Sequence, residues 1–297
     1  MAVDEKGNSA FRAYREKYLE AVERSISDNL PGLPDATGSD FNKLARSAVL
    51  NAEDRFHPFL VLMGAELVGG SPELTLPAAT AVEYVTRAFA LLNEWKTTRP
   101  IFDRSEDREA EDFEDKDLGV RVAIALLNGA YPLVLTNHSD FPGRSLAAHS
   151  ELVECIGAFL PMFGEDSISR GFGEERFEFG TSSNKSIFKT SAPVPLGLRL
   201  GALLSGADYI EIASITRFGE YLGDALRMRR GSSSFAADGN KKIGASSDPS
   251  VLEGVADTSL LVSGSIENAK LVLAEEFADS IAKNALSDLC DILSSSD

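Results

Sequence analysis

The sequence predicts an all-α fold, a helical bundle whose central helices are apolar enough to enclose a cavity. Apolar residues recur at helical spacing through eight segments, strand-like alternation is nearly absent, and short Gly/Pro punctuators separate the segments. Hydrophobic residues make up 43% of the 297, enough for a sizeable core. No Pro/Gly/Ser-rich linker splits the chain into halves that each carry a complete hydrophobic pattern, so residues 1–297 read as a single domain.

In chain order, helical periodicity runs from Phe11 to Ser27, Phe59 to Leu67, Ala78 to Leu92, Leu118 to Leu135 and Leu146 to Phe163. It resumes from Leu196 to Leu204, Tyr209 to Met228 and Ile266 to Leu293. Pro31-Gly32, Gly69-Gly70-Ser71-Pro72, Pro142-Gly143 and Gly206 punctuate these runs, and Asp208 and Ser265 read as N-caps. Two stretches read as mobile loops. Asp103 to Asp117 carries nine carboxylates and three basic groups in fifteen residues, and 231–250 is rich in Gly, Ser and Asp around Lys241-Lys242.

Charge and cysteine usage exclude several functions. With 46 acidic against 29 basic residues the formal net charge is −17, which repels nucleic-acid phosphates and anionic lipid surfaces, so no nucleic-acid partner is expected. The same acidity suits a protein kept soluble at high salt. No run approaches the roughly 18 apolar residues of a membrane-spanning helix, so no transmembrane segment is expected. The charged opening, Met1 to Tyr14, lacks the apolar stretch and small-residue cleavage site of a secretory signal, which gives a cytoplasmic expectation. Cys155 and Cys290 lie far apart on apolar patterns and read as free buried thiols. His57, His138 and His149 show no metal-ligand spacing.

Three ordered stretches carry a family resemblance. Arg55-Phe56-His57-Pro58-Phe59-Leu60-Val61-Leu62, followed by Ala65-Glu66 and Gly69-Gly70-Ser71-Pro72-Glu73, resembles the first signature region of the trans-isoprenyl diphosphate synthases, GGKRLRP and a helix ending in a Gly-Gly turn. Phe188-Lys189-Thr190-Ser191-Ala192 is similar to the family's KT motif. Phe218-Gly219-Glu220-Tyr221-Leu222-Gly223-Asp224-Ala225 resembles the helix that leads into the second aspartate-rich motif. The matches follow family order from about Arg55 to Leu289. The resemblance implies an isoprenoid synthase-type bundle in which an allylic diphosphate ionises and magnesium, held by two DDxxD-type motifs, stabilises the leaving pyrophosphate.

At the implied metal positions the residues differ from that pattern. The first motif would start at Asn93-Glu94, but Trp95-Lys96-Thr97-Thr98-Arg99 follows. The second would follow Leu226-Arg227-Met228, where the chain has Arg229-Arg230-Gly231-Ser232. Aligned on Pro58, Asp54 stands at the GGK lysine and His57 at the arginine before proline, while Gly129-Ala130 replaces a glycine-aspartate pair. Removing one preorganised electrostatic contact typically costs roughly 10² to 10³ in rate. Losses at several positions imply that the metal-assisted reaction is gone or uses other groups.

The expected substrate-binding residues are therefore Lys189, Thr190, Arg227, Arg229 and Arg230, with Phe89, Asn93, Glu94 and His57 around the pocket; no catalytic residue and no metal ligand is assigned. The arginines have two readings. Their forked donors suit a diphosphate directly, or they form a basic C-terminal turn favoured by the helix dipole. Phe89 lies four positions before the first motif, where family members plug the pocket to set product length, or it is ordinary core. The implied function is prenyl-diphosphate binding or regulation without normal chain elongation, as a homodimer or a heteromer with an active synthase. The alternative is a divergent prenyltransferase or terpene-synthase-like enzyme using magnesium, and a third reading is a structural subunit with a filled pocket.

Overall fold

The computed structural model describes residues 9–30, 40–51, 55–98, 111–135, 142–169, 193–239 and 249–295. Within these, the side chains of 94–98, 111–117, 160–169, 230–239, 249–258 and 295 lie outside the description. The described elements are α1 (Ala10–Asp28), α2 (Asp40–Leu50), α3 (Phe56–Leu67), a 3-10 turn (Pro72–Thr75), α4 (Leu76–Thr98) and α5 (Glu111–Leu135). They continue with α6 (Pro142–Ser169), α7 (Pro193–Ser205), α8 (Tyr209–Gly239), α9 (Pro249–Glu276) and α10 (Ile281–Ser295). No strand occurs among the described residues, as the missing alternation predicts.

α3 and α7 form the centre. Nearly every α3 residue is buried, and glycines let its backbone meet that of α7. A Cβ at Gly201 would sit 1.9 Å from the Val61 carbonyl oxygen, and one at Gly64 would sit 2.2 Å from that of Leu198. Both helices end the same way. Gly69 and Gly206 adopt φ of 75° and 88°, and the paired bonds Gly70 N to Ala65 O and Ala207 N to Ala202 O close Schellman caps. The Gly-Gly and Gly206 punctuators thus mark true helix ends. Asp208 caps α8 reciprocally with Glu211, each backbone N–H donating to the other's carboxylate.

Several boundaries differ from the sequence reading. α2 is an additional helix whose buried stripe, Asn42, Ala45 and Val49, is too sparse to stand out as periodicity. Helix α5 begins at Glu111, so 111–117 of the expected acidic loop is helical; carboxylates suit a helix start, where the dipole is positive. Helix α8 runs to Gly239 and α9 starts at Pro249, leaving 240–248 and 103–110 of the two expected loops outside the described residues. Ser265 lies inside α9 rather than capping a helix. The true break is Phe277 to Ser280, where Ser280 caps α10 by accepting the Lys283 N–H and Lys283 Nζ donates to the Phe277 carbonyl. Leu118 to Leu135 corrects a further expectation, since by length and composition alone it is apolar enough to cross a membrane, with mean hydropathy 1.7. Pro142-Gly143 opens α6, as proline suits a first helical position.

The largest fully buried side chain is Arg55. A guanidinium has five N–H donors, and here all five are used. Nε and Nη2 grip both oxygens of Glu23 on α1 at 2.6 and 2.9 Å. Nη1 donates to Glu83 Oε1 on α4 at 2.9 Å and to the Val49 carbonyl, while Nη2 also reaches the Leu50 carbonyl. Arg87 shares the same Glu83 oxygen at 2.7 Å. One residue at the mouth of α3 therefore ties together α1, the end of α2 and α4.

Two stability outcomes follow from this packing. Arg55→Met takes from the buried Glu83 one of its two paired arginines, leaves Arg87, and lowers stability by about 3 to 5 kcal/mol in urea denaturation, and adding Glu83→Gln costs less than the sum of the two single changes. Gly201→Ala forces α3 and α7 apart and costs roughly 1 to 3 kcal/mol in the same assay.

Candidate functional site

Helix directions bring the candidate residues to one end of the bundle. Gly197 of α7 lies beside His57 and Leu60 at the start of α3, and Gly201 lies beside Val61 and Ala65, so α3 and α7 run parallel. Gly219 of α8 meets Pro195 at the start of α7, so α8 runs the opposite way. The Arg55–Glu83 ion pair places Glu83 of α4 at that same level. Asn93 lies ten residues beyond Glu83 and Arg229 ten residues beyond Gly219, so both helices project about 15 Å past the crossing. α4 and α8 each pack on α7.

On α4, Phe89 is buried and stacks face to face on Phe159 of α6, with ring centroids 3.5 Å apart and planes 9° apart. Asn93 is exposed, and the side chain of Glu94 lies outside the described residues. His57 is half-buried with its ring edge-on to Phe56 at 5.3 Å. Lys189 and Thr190, with Asp54 and His138, lie outside the described residues.

The arginines divide between two faces of α8. At 3.6 residues per turn, Arg229 falls about 20° around the axis from Phe218, in register with the buried stripe, whereas Arg227 falls about 180° away. Arg229 Nη1 accordingly reaches across the core and donates to the Leu293 carbonyl of α10 at 2.9 Å. Position 230 lies about 60° from Arg227 and about 100° from Arg229 around the helix, between the two; its side chain lies outside the described residues. Arg227 is half-buried, its Nε has no hydrogen-bond partner among the described residues, and Asp224 Oδ1 is 3.9 Å away. Helix α8 continues well past these residues, so the reading of a basic C-terminal turn is corrected: they stand in mid-helix, where the dipole has no end to offer.

Asp224 was no candidate in the sequence, although its i, i+3 spacing to Arg227 was legible. Burial pushes its carboxyl above the usual range, and Arg227 opposes the shift only in part. Phe159 was missed as well, because its partner lies seventy residues upstream. Both cysteines are free, with thiols pushed up to about 12 mainly by burial. Neither is a thiolate at neutral pH.

Magnesium does not fit the donors that are described. Asn93, Asp224 and Arg227 offer one carboxylate with a cation beside it, and no group of three or more His, Cys, Asp or Glu side chains among the described residues converges as a metal site.

Comparison with known proteins now places this bundle. No protein-family model matches the chain. Its fold superposes on a geranylgeranyl pyrophosphate synthetase from the archaeon Geoglobus acetivorans with a TM-score of 0.74, over 98% of this chain and 100% of that one, at 17% identity. A geranylgeranyl pyrophosphate synthase 7, chloroplastic, from Arabidopsis thaliana is 27% identical over 184 residues, which is 60% of this chain and 52% of the relative. The Arabidopsis heterodimeric geranylgeranyl pyrophosphate synthase large subunit 2 is 29% identical over 225 residues, 72% of this chain and 56% of the relative. These relatives and structural neighbours are geranylgeranyl and farnesyl diphosphate synthases, the trans-isoprenyl diphosphate synthases that the sequence motifs resemble. The chain spans about half the length of the curated relatives it matches. The family's helical fold is the all-α bundle that the periodicity predicts.

Asp224 gives a pH test of the α8 site. A carboxyl whose folded pKa is raised holds its proton more tightly in the native state, so its contribution to stability is most favourable at low pH and declines as pH rises through the raised value. Asp224→Asn removes that decline. The variant unfolds at higher urea than wild type at pH 7, and the gap closes as pH falls toward the ordinary aspartate range.

Proposed function

We propose that the chain binds a prenyl diphosphate directly through Arg227 and Arg230, with Lys189 and Thr190, and has no normal chain-elongation activity. The observation that carries this reading is the mid-helix setting of Arg227 on α8, with a buried Nε that has no hydrogen-bond partner among the described residues, two positions before the place where the family resemblance implies metal-holding carboxylates. A guanidinium offers a diphosphate forked, charge-assisted hydrogen bonds without an intervening cation. The prenyl tail would run along α4 toward the Phe89–Phe159 stack, whose two rings limit its length. Such a protein acts as a non-catalytic or regulatory subunit of isoprenoid metabolism.

Association follows from surface chemistry. Ile124 and Leu135 of α5 and Leu146 and Val153 of α6 are exposed, with Ile124 at 52% and Leu146 at 62%, and only 39% of the apolar Leu118–Leu135 window is buried. Exposed apolar residues on two helices favour a partner, either a second copy or a related active synthase. The relative named as a heterodimeric large subunit supports the heteromeric form. As for location, some of the matched plant synthases are named chloroplastic, so a plastid now stands beside the cytoplasm expected from the opening residues. Imaging of a fluorescent fusion distinguishes the two compartments.

Calorimetry with farnesyl diphosphate, with and without EDTA, tests the site. Binding survives EDTA, weakens with salt, and falls by roughly 1.5 to 3 kcal/mol in Arg230→Ala or Lys189→Ala. Affinity that collapses without magnesium, together with pyrophosphate release from an allylic diphosphate, would establish the divergent prenyltransferase instead. Light scattering tests assembly: the wild type is a dimer at micromolar concentration, or dimerises on mixing with an active synthase, and Ile124→Glu shifts it to monomer.

A further inference from the structure

The guanidinium of Arg229 occupies a place that the proposed binding reading does not use. It sits on the core stripe of α8 in register with Phe218, Leu222 and Ala225, all buried. A charged side chain there needs a strong acceptor, and the end of α10 supplies one. The last four carbonyls of a helix lack intrahelical partners and carry the negative end of its dipole. Leu293, three residues from the end of α10, offers such a carbonyl to Arg229 at 2.9 Å.

α10 is itself held on several sides. Asp288 accepts from the Ser9 hydroxyl and, at 3.0 Å, from the Phe11 N–H, so it caps the start of α1. Asp291 pairs with Lys270 of α9. The side chain of Leu293 is buried. The carbonyl that Arg229 grips is therefore a fixed point.

Beyond Gly219, where α8 meets Pro195, the helix projects past α7, and Arg227 lies on the projecting part. We propose that Arg229 is a positioning residue: by gripping the Leu293 carbonyl it fixes how α8 is turned about its axis, and so where Arg227 points. A helix carries its side chains at fixed angles, so rolling α8 by one residue's width swings Arg227 by about 100°. This inference rests on the reading that Arg227 binds the diphosphate, and it adds that Arg229 supports the site without touching the ligand.

Calorimetric titration with inorganic pyrophosphate at several salt concentrations separates the roles. A direct charged contact contributes to the salt dependence of binding, while a positioning residue does not. Arg227→Gln should weaken binding and flatten its dependence on salt. Arg229→Gln should weaken binding about three- to tenfold with the salt dependence kept, and Arg229→Lys, which retains a donor for Leu293, should restore most of the affinity. A second measurement, hydrogen exchange of the ligand-free proteins, should show faster exchange in the last turn of α10 and in 224–229 of Arg229→Gln, and near wild-type exchange in Arg229→Lys. If wild type binds and Arg229→Gln binds equally well, the inference is overturned and the diphosphate reading stands. A salt dependence flattened as in Arg227→Gln would make Arg229 a ligand contact and also overturn it. Failure of wild type to bind pyrophosphate overturns both readings together.

Discussion

The fold depends on the buried ion cluster around Arg55. Placing a guanidinium in the interior costs several kcal/mol of lost hydration, and only complete pairing offsets it. Here the pairing is complete for the arginine, with two carboxylates and two helix-terminal carbonyls sharing its five donors. The acceptors come from three stretches of chain, so no one or two of α1, α2 and α4 satisfy Arg55 alone. The cluster thus stabilises less than it specifies: an arrangement that misplaces any one of these helices leaves a buried charge exposed to its own low dielectric.

The centre of the bundle uses the opposite device. α3 and α7 approach until backbone touches backbone, with glycine wherever a side chain would intervene. Close approach increases dispersion contacts along both helices and leaves no room for rotation. The rigid α3–α7 pair then acts as the frame on which α4 and α8 lie, and their projecting halves carry the candidate site.

Legibility in the sequence divides along physical lines. Local signals were readable: the Gly69-Gly70 and Gly206 caps, the Asp208 capping box and the apolar stripes of α3, α4 and α7 depend on neighbours a few residues away. Long-range signals were not. Glu83 sits among Ala78, Ala79, Ala81, Val82 and Val85 as a carboxylate within an apolar stretch, a hint that a buried cation must meet it, but nothing local names Arg55 as the partner. Phe159 opposite Phe89 is the same case. The basic run 227–230 was legible as chemistry but not as geometry, because its meaning turned on helix continuing to Gly239 through Gly231 and four serines and glycines that favour other conformations. With that continuation Arg227 and Arg229 separate onto two faces, and Arg229 meets the Leu293 carbonyl of α10.

The parallel run of α3 and α7 has an electrostatic consequence. Two helix N-termini, at Phe56 and Pro193, open toward the same end of the bundle, and each presents the equivalent of about half a positive charge. The negative ends of α4 and α8 lie fifteen residues past Glu83 and twenty past Gly219, about 22 and 30 Å further out, while that of α2 meets Arg55, whose guanidinium takes up its Val49 and Leu50 carbonyls. On a chain of net charge −17, the paired N-termini therefore gather the positive dipole charge of α3 and α7 at the end of the bundle toward which α4 and α8 project.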